Sequence, residues 1–222
     1  MRTQTKDIQA SLTPQTAFDI LQEGNRRFVN NLRANRNLLQ QVNDTSAGQF
    51  PFAVVLSCID SRTSAELVFD QGLGDIFSVR IAGNVLNEDI LGSMEFACAV
   101  AGSKLVVVLG HSRCGAVKGA CDNVQMGHLT GLINKISPAV HAVESTHGRG
   151  SEPQQFVEDV ALENTRLQMR AILERSPILK HLYHDGKIGV VSAMYSVESG
   201  EVTFYDLKFQ SAATPAPALA GA

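Results

Sequence analysis

Two short runs of this chain contain only apolar and small residues, Phe-Ala-Val-Val-Leu-Ser at 52–57 and Leu-Val-Val-Val-Leu at 105–109. A strand with one face in water alternates apolar and polar side chains. A run without alternation belongs to a strand covered on both faces, as in a parallel sheet lying between helices. Between and after these runs the apolar spacing becomes helical. Residues 88–101 put Ile90, Leu91, Met94, Ala97, Cys98 and Ala101 on one face, and residues 154–175 do the same with Phe156, Val160, Leu167 and Ile172. Strands separated by helices imply right-handed crossovers, so the expected fold is α/β, with a mainly parallel central sheet flanked by helices.

The rest of the chain fits around that frame. A second short strand is expected at 76–80, after a helix at 64–71 that stops at Gly72, and Gly110 is expected to stop the strand at 105–109. Helices are expected at 116–124 and over much of 128–145, then a loop at 148–153 and the long helix at 154–175, which Pro177 stops. Residues 188–197 and 202–209 flank Ser199-Gly200 and read as a C-terminal hairpin. Near the start, Thr13 caps a helix with Pro14 in its first position and Ala17, Ile20, Leu21 and Phe28 on one face. Residues 30–49 are rich in Asn and Gln and read as irregular or partly helical. The organisation expected is an N-terminal helical arm (1–50), one α/β domain joined to it (51–210), and an Ala- and Pro-rich disordered tail (211–222).

Each fully apolar run ends in a polar segment rich in reactive side chains. Cys58-Ile59-Asp60-Ser61-Arg62 follows the first, and Gly110-His111-Ser112-Arg113-Cys114-Gly115 follows the second. Open α/β sheets bind ligands beyond the carboxyl ends of their strands, where the strand order reverses. If these strands are neighbours, Cys58 meets His111 and Cys114, a thiolate–imidazole–thiolate set suited to tetrahedral Zn²⁺ with a fourth position for water or substrate. Asp60 is a possible fourth ligand, but Arg62 two residues on can grip its carboxylate in a bidentate pair and turn it from the metal. Asp60 would then orient a metal-bound hydroxide toward a small electrophile.

A chain of 222 residues buries enough apolar surface to fold without a metal, so a metal here points to chemistry. Its composition, 44% hydrophobic and 18% charged with a formal net charge of −3, offers no basic excess for nucleic acid or anionic lipid. No run approaches the roughly 18 apolar residues of a membrane span, and residues 1–12 lack the apolar core of a signal peptide, so a cytoplasmic protein is expected.

The pattern Cys-x-Asp-x-Arg at 58–62, followed by His-x-x-Cys at 111–114, each after a buried strand, resembles the β-class carbonic anhydrases. The resemblance runs from about Gln49 to Gly115 and extends weakly to Tyr195. It implies Zn²⁺ on Cys58, His111 and Cys114, Asp60 and Arg62 as a catalytic dyad, and reversible hydration of carbon dioxide to bicarbonate. It further implies a homodimer or dimer of dimers, an N-terminal helix that packs on a partner subunit, and a substrate pocket sharing residues across the interface. Gln49, Phe77, Phe96 and the N–H of Gly115 match the family's substrate-binding positions. Ile59 stands where Ser or Ala is commoner. Val55 replaces the tryptophan of an allosteric subclass, of which only Arg80 is matched, so an open rather than Asp-capped site is expected at neutral pH.

Other readings are plainer. Cys98 and Cys121 lie on helical faces and read as core, while His128, His141, His147, His181 and His184 show no ligand spacing. Arg113 fits a product contact or a solvated position equally. Gly72-Leu-Gly-Asp-Ile-Phe77 lacks the third glycine of a dinucleotide fingerprint. The rival functions are hydrolysis of carbon disulfide or carbonyl sulfide on the same zinc, a cysteine-nucleophile hydrolase using Cys58 and His111, and an interaction module with purely structural zinc.

Overall fold

The computed structural model describes residues 3–209. The chain opens with α1 (Lys6–Ser11), α2 (Pro14–Val29) and α3 (Leu38–Thr45). β1 (Ala53–Ser57), α4 (Ala65–Val68) and β2 (Ile76–Arg80) follow, then α5 (Glu88–Glu95), which continues as a π-helical turn (Phe96–Val100) into β3 (Leu105–His111). α6 (Gly115–Cys121), α7 (Gly127–Ile133), α8 (Ser137–His147), α9 (Pro153–Arg175) and α10 (Pro177–His184) come next. The hairpin β4 (Gly189–Tyr195) and β5 (Val202–Lys208) closes the described chain.

The five strands form one sheet in the order β2-β1-β3-β4-β5, parallel except for β5. Every residue of β1 and β3 is buried, as their unbroken apolar sequence requires. On one face, Ala53 and Val55 of β1 and Leu105, Val107 and Leu109 of β3 share one core cluster with Ala17, Phe18 and Leu21 of α2. On the other, Val54, Leu56, Val106 and Val108 meet the α5 side chains with Met169, Ile172 and Leu179. Two layers of helix thus enclose the sheet.

Local chemistry explains the ends of the elements. The Thr13 hydroxyl accepts from Thr16 N–H, and Thr16 returns the bond to Thr13 N–H, a complete capping box over α2. Asn87 caps α5 through a 2.8 Å bond from Ile90 N–H. Buried Asp70 pins the N-terminal arm to the α4–β2 connection. It accepts from Arg27 Nε at 2.6 Å, Arg36 at 2.5 Å and the Ala34 N–H at 3.1 Å.

The structure corrects or refines four expectations. Gly110 does not end β3, which continues through His111, paired with Tyr195. Glycine is needed there for space: a Cβ would stand 2.3 Å from Thr165 Oγ1 of α9 and 2.5 Å from Met194 Sδ. Pro177 does not merely stop the long helix. α9 ends at Arg175, and Pro177 takes the first position of α10, capped by Ser176. The helix expected at 64–71 is a single turn, and 128–145 divides into α7 and α8. α1 was not legible as a helix; it docks through Gln9, whose amide donates to the carbonyls of Pro51 and Ala101. α2 packs on this chain's own sheet. The expected tail at 211–222 lies outside the described residues.

Candidate metal centre

β1 and β3 are adjacent and parallel, with Ser57 opposite Leu109, so their following loops emerge side by side. β2 pairs on one side of β1 and β3 on the other, which makes this the switch point of the sheet. Cys58 leaves β1, His111 ends β3, and Cys114 sits one residue before α6. Their ligand atoms all lie within 4.8 Å of one another, and all three side chains are buried.

These donors suit a tetrahedral ion. Zinc bonds of about 2.1–2.3 Å set ligand atoms roughly 3.5–3.8 Å apart, and the three atoms here all lie within 4.8 Å of one another. His111 Nδ1 lies 2.9 Å from the Ser112 carbonyl, which fixes the proton on Nδ1 and presents the lone pair of Nε2 to the cluster. His111 Nε2 is buried and has no protein partner. A buried imidazole nitrogen is normally matched, and this one is free to take a metal ion.

The thiols interact strongly. The Cys114 thiol beside it, with His111 and the Gly83 N–H, holds Cys58 well below an ordinary thiol despite burial. The same bond to Cys58, together with burial, pushes Cys114 up. A divalent cation held there would take both sulfurs as thiolates and release protons on binding. Cys98 and Cys121 behave as core cysteines, pushed by burial to about 12 and about 11.

Asp60 is not among the clustered ligand atoms. Its carboxylate accepts from Arg62 Nε at 2.9 Å, from the Arg62 guanidinium terminus at 2.8 Å and from the Arg62 N–H at 2.9 Å. The Arg62 guanidinium holds Asp60 far below the usual carboxylate range, although partial burial works against it. The loop itself is fixed by Arg80, which donates to the Cys58 carbonyl at 3.0 Å and the Asp60 carbonyl at 2.7 Å. Sequence reasoning gave Arg80 no such role. The register that aligns it with Ser57 is the feature that places it there.

Gly115 opens α6 beside Cys114, and a Cβ there would meet nothing within 4 Å. Arg113 pairs with Glu198, and its N–H donates to Glu158 at 2.9 Å. Phe77 and Phe96 meet edge to face, 6.3 Å apart, in an open groove of about 780 Å³ with Val79 and Gly92. They do not join Cys58. Phe77 is level with Val54, about 13 Å down the sheet from Cys58 at some 3.3 Å per residue. Gln49 is exposed, before the opposite end of β1. Among the described residues no helix is long and apolar enough to cross a membrane.

Fold and site together define an α/β protein with a Cys-His-Cys cluster able to hold a metal at the switch point of a parallel sheet. Residues 53–202 match the family model described as carbonic anhydrase. Carbonic anhydrase 2 of Mycobacterium tuberculosis (strain ATCC 25618 / H37Rv) is 34% identical over 201 residues, covering 87% of this chain and 93% of that protein. The β-carbonic anhydrase CcaA superposes with a TM-score of 0.69 at 25% identity, covering 86% of this chain and 94% of that one. Two tetrameric β-carbonic anhydrases from Sordaria macrospora share the fold, with a TM-score of 0.68 and 19% identity over 74% of this chain and 89% of theirs. The chain belongs to the β-carbonic anhydrase family. Its activity is that of a carbonate dehydratase.

Proposed function

We propose that this chain hydrates carbon dioxide on a zinc ion held by Cys58, His111 and Cys114, with Asp60 and Arg62 as the dyad that orients the nucleophile. The observation that carries the reading is the buried, unmatched Nε2 of His111 facing two thiols within 4.8 Å. Zinc bound there is a Lewis acid that brings the pKa of a water molecule toward neutrality and so supplies a nucleophile. Everything else falls to the chain's own residues.

Arg62 occupies both oxygens of Asp60, so the carboxylate stays ionised and is kept from the fourth ligand position. An ionised Asp60 accepts the hydrogen of the attacking water and thereby aims a lone pair at the carbon of the substrate. Two thiolates make the metal a weaker Lewis acid than an all-imidazole set would, so the rate depends on holding that water in one orientation. The Gly115 N–H at the start of α6 is the donor proposed for a substrate oxygen.

Phe77 is level with Val54 rather than with Cys58, Phe96 packs on it, and Gln49 precedes the opposite end of β1. The reading assigns them to the site of a second copy docked along the exposed edge of β2, in a homodimer or dimer of dimers. The tetrameric relatives from Sordaria macrospora support such an assembly. Diffraction from crystals of the protein at the zinc absorption edge tests the metal assignment. The expected result is one anomalous peak bonded to Cys58 Sγ, Cys114 Sγ and His111 Nε2. A peak elsewhere, or one also bonded to Asp60 at alkaline pH, contradicts it.

A further inference from the structure

α9 carries two amide side chains where packing alone would call for apolar ones. Asn164 is fully buried and Gln168 nearly so, on the same face as Val160, Ala161 and Ile172. A buried amide is destabilising unless its groups are matched, and here they are matched by one distant segment. Asn164 Nδ2 donates to the Gly83 carbonyl at 2.9 Å, Gln168 Nε2 donates to Asn164 Oδ1 at 3.1 Å, and the Leu86 N–H donates to Gln168 Oε1 at 2.9 Å. The two side chains, one helical turn apart, thus clamp both ends of residues 83–86.

That segment has a reason to be clamped. Gly83 has φ +68, and a Cβ on it would stand 2.6 Å from Ile136 Cδ1 and 3.3 Å from Ala116 Cβ. Only glycine fits, and glycine has the freest backbone of any residue. The Gly83 N–H donates to Cys58 Sγ at 3.3 Å. Its N–H and C=O flank a single Cα across the φ and ψ rotations, so holding the carbonyl from Asn164 and the Leu86 N–H from Gln168 narrows the directions open to the Gly83 N–H. A hydrogen bond to a thiolate draws charge from the sulfur and reduces its donation to a metal.

We infer that Asn164 and Gln168 are positioning residues, which set the Gly83 N–H on the Cys58 sulfur and thereby tune the metal without touching it or the substrate. The inference rests on the zinc assignment made above. The test uses full-length protein loaded with cobalt(II), the variants Asn164→Leu and Gln168→Leu, and three readouts. These are the sulfur-to-cobalt charge-transfer band, zinc affinity by chelator competition, and thermal melting. Asn164→Leu is expected to move the band to lower energy, because the sulfur keeps more charge, and, because the segment that holds Cys58 in place is loosened, to weaken zinc binding about 10- to 100-fold. Gln168→Leu, which leaves the Asn164–Gly83 bond in place, moves both in the same direction by less. Lower melting temperatures with an unshifted band and wild-type zinc affinity overturn the inference. If Asn164→Leu fails to fold, Gln168→Leu decides on the same readouts. A wild-type cobalt protein without a sulfur charge-transfer band sinks the zinc assignment itself, and that failure is seen before any variant is made.

Discussion

Replacing Arg62 by alanine separates orientation of the nucleophile from binding of the metal. Asp60 accepts three hydrogen bonds, two from the guanidinium and one from the Arg62 N–H, and Arg62→Ala removes the first two. A hydrogen bond to a charged group contributes about 1.5–3 kcal/mol when well shielded. The Arg62 side chain is 49% exposed, however, and exposed ion pairs contribute only about 0.2–1 kcal/mol. Asp60 is itself mostly buried, so about 1–2 kcal/mol of orientation is lost. At 1.36 kcal/mol per tenfold in rate, kcat/KM for carbon dioxide should fall about 5- to 30-fold. Zinc content should stay at the wild-type level, because Arg80 still holds the Cys58 and Asp60 carbonyls. Arg62→Lys keeps the charge but not the planar fork, and should fall between the two. Stopped-flow hydration with metal analysis on the same samples reads both quantities. An unchanged kcat/KM, or a rate lost in proportion to lost zinc, refutes the role given to the dyad.

Three further outcomes are expected. Hydration by the wild-type enzyme should rise between about pH 6 and pH 9 as the nucleophile deprotonates, and a flat profile contradicts a thiolate-rich metal. Gly110→Ala drives a Cβ to within 2.3 Å of Thr165 Oγ1; overpacking of this kind costs about 1–3 kcal/mol, so the melting temperature should drop by about 2–12 °C, and wild-type melting refutes the close approach of α9. Asp70→Asn leaves Arg27 and Arg36 without their carboxylate and should cost about 3 kcal/mol. Burial opposes ionisation of Asp70, but Arg27, the Ala34 N–H and Arg36 hold its pKa below the ordinary carboxylate value. Its contribution is therefore present above the unfolded pKa of about 3.9 and lost as pH falls through the folded value. The melting difference between Asp70→Asn and wild type should accordingly shrink in acid, and a difference independent of pH contradicts this.

The sheet was legible because its inner strands need both faces apolar, which leaves an unbroken run that little else produces. The clustering of Cys58, His111 and Cys114 was legible for a related reason: they stand where those runs end, and parallel neighbours bring such ends together. Helix ends were harder to read. Pro177 closes one helix and opens the next, and a proline after a periodic run does not distinguish the two. Gly110 resembles a strand breaker, whereas its missing side chain admits α9. Asn164 and Gln168 fall in a helical pattern that predicts their burial but not their partners, 81 and 82 residues away on the chain. Such pairings depend on tertiary geometry, which no local spacing encodes.

Zinc titrated into metal-free protein, with the initial rate of carbon dioxide hydration followed at each addition, measures most directly whether the reaction runs on an ion between the three ligands. The rate should climb linearly and break at one zinc per chain, and Cys58→Ser and Cys114→Ser should each abolish the climb. Full activity before zinc is added, or a climb that survives loss of either cysteine, would place the chemistry somewhere else.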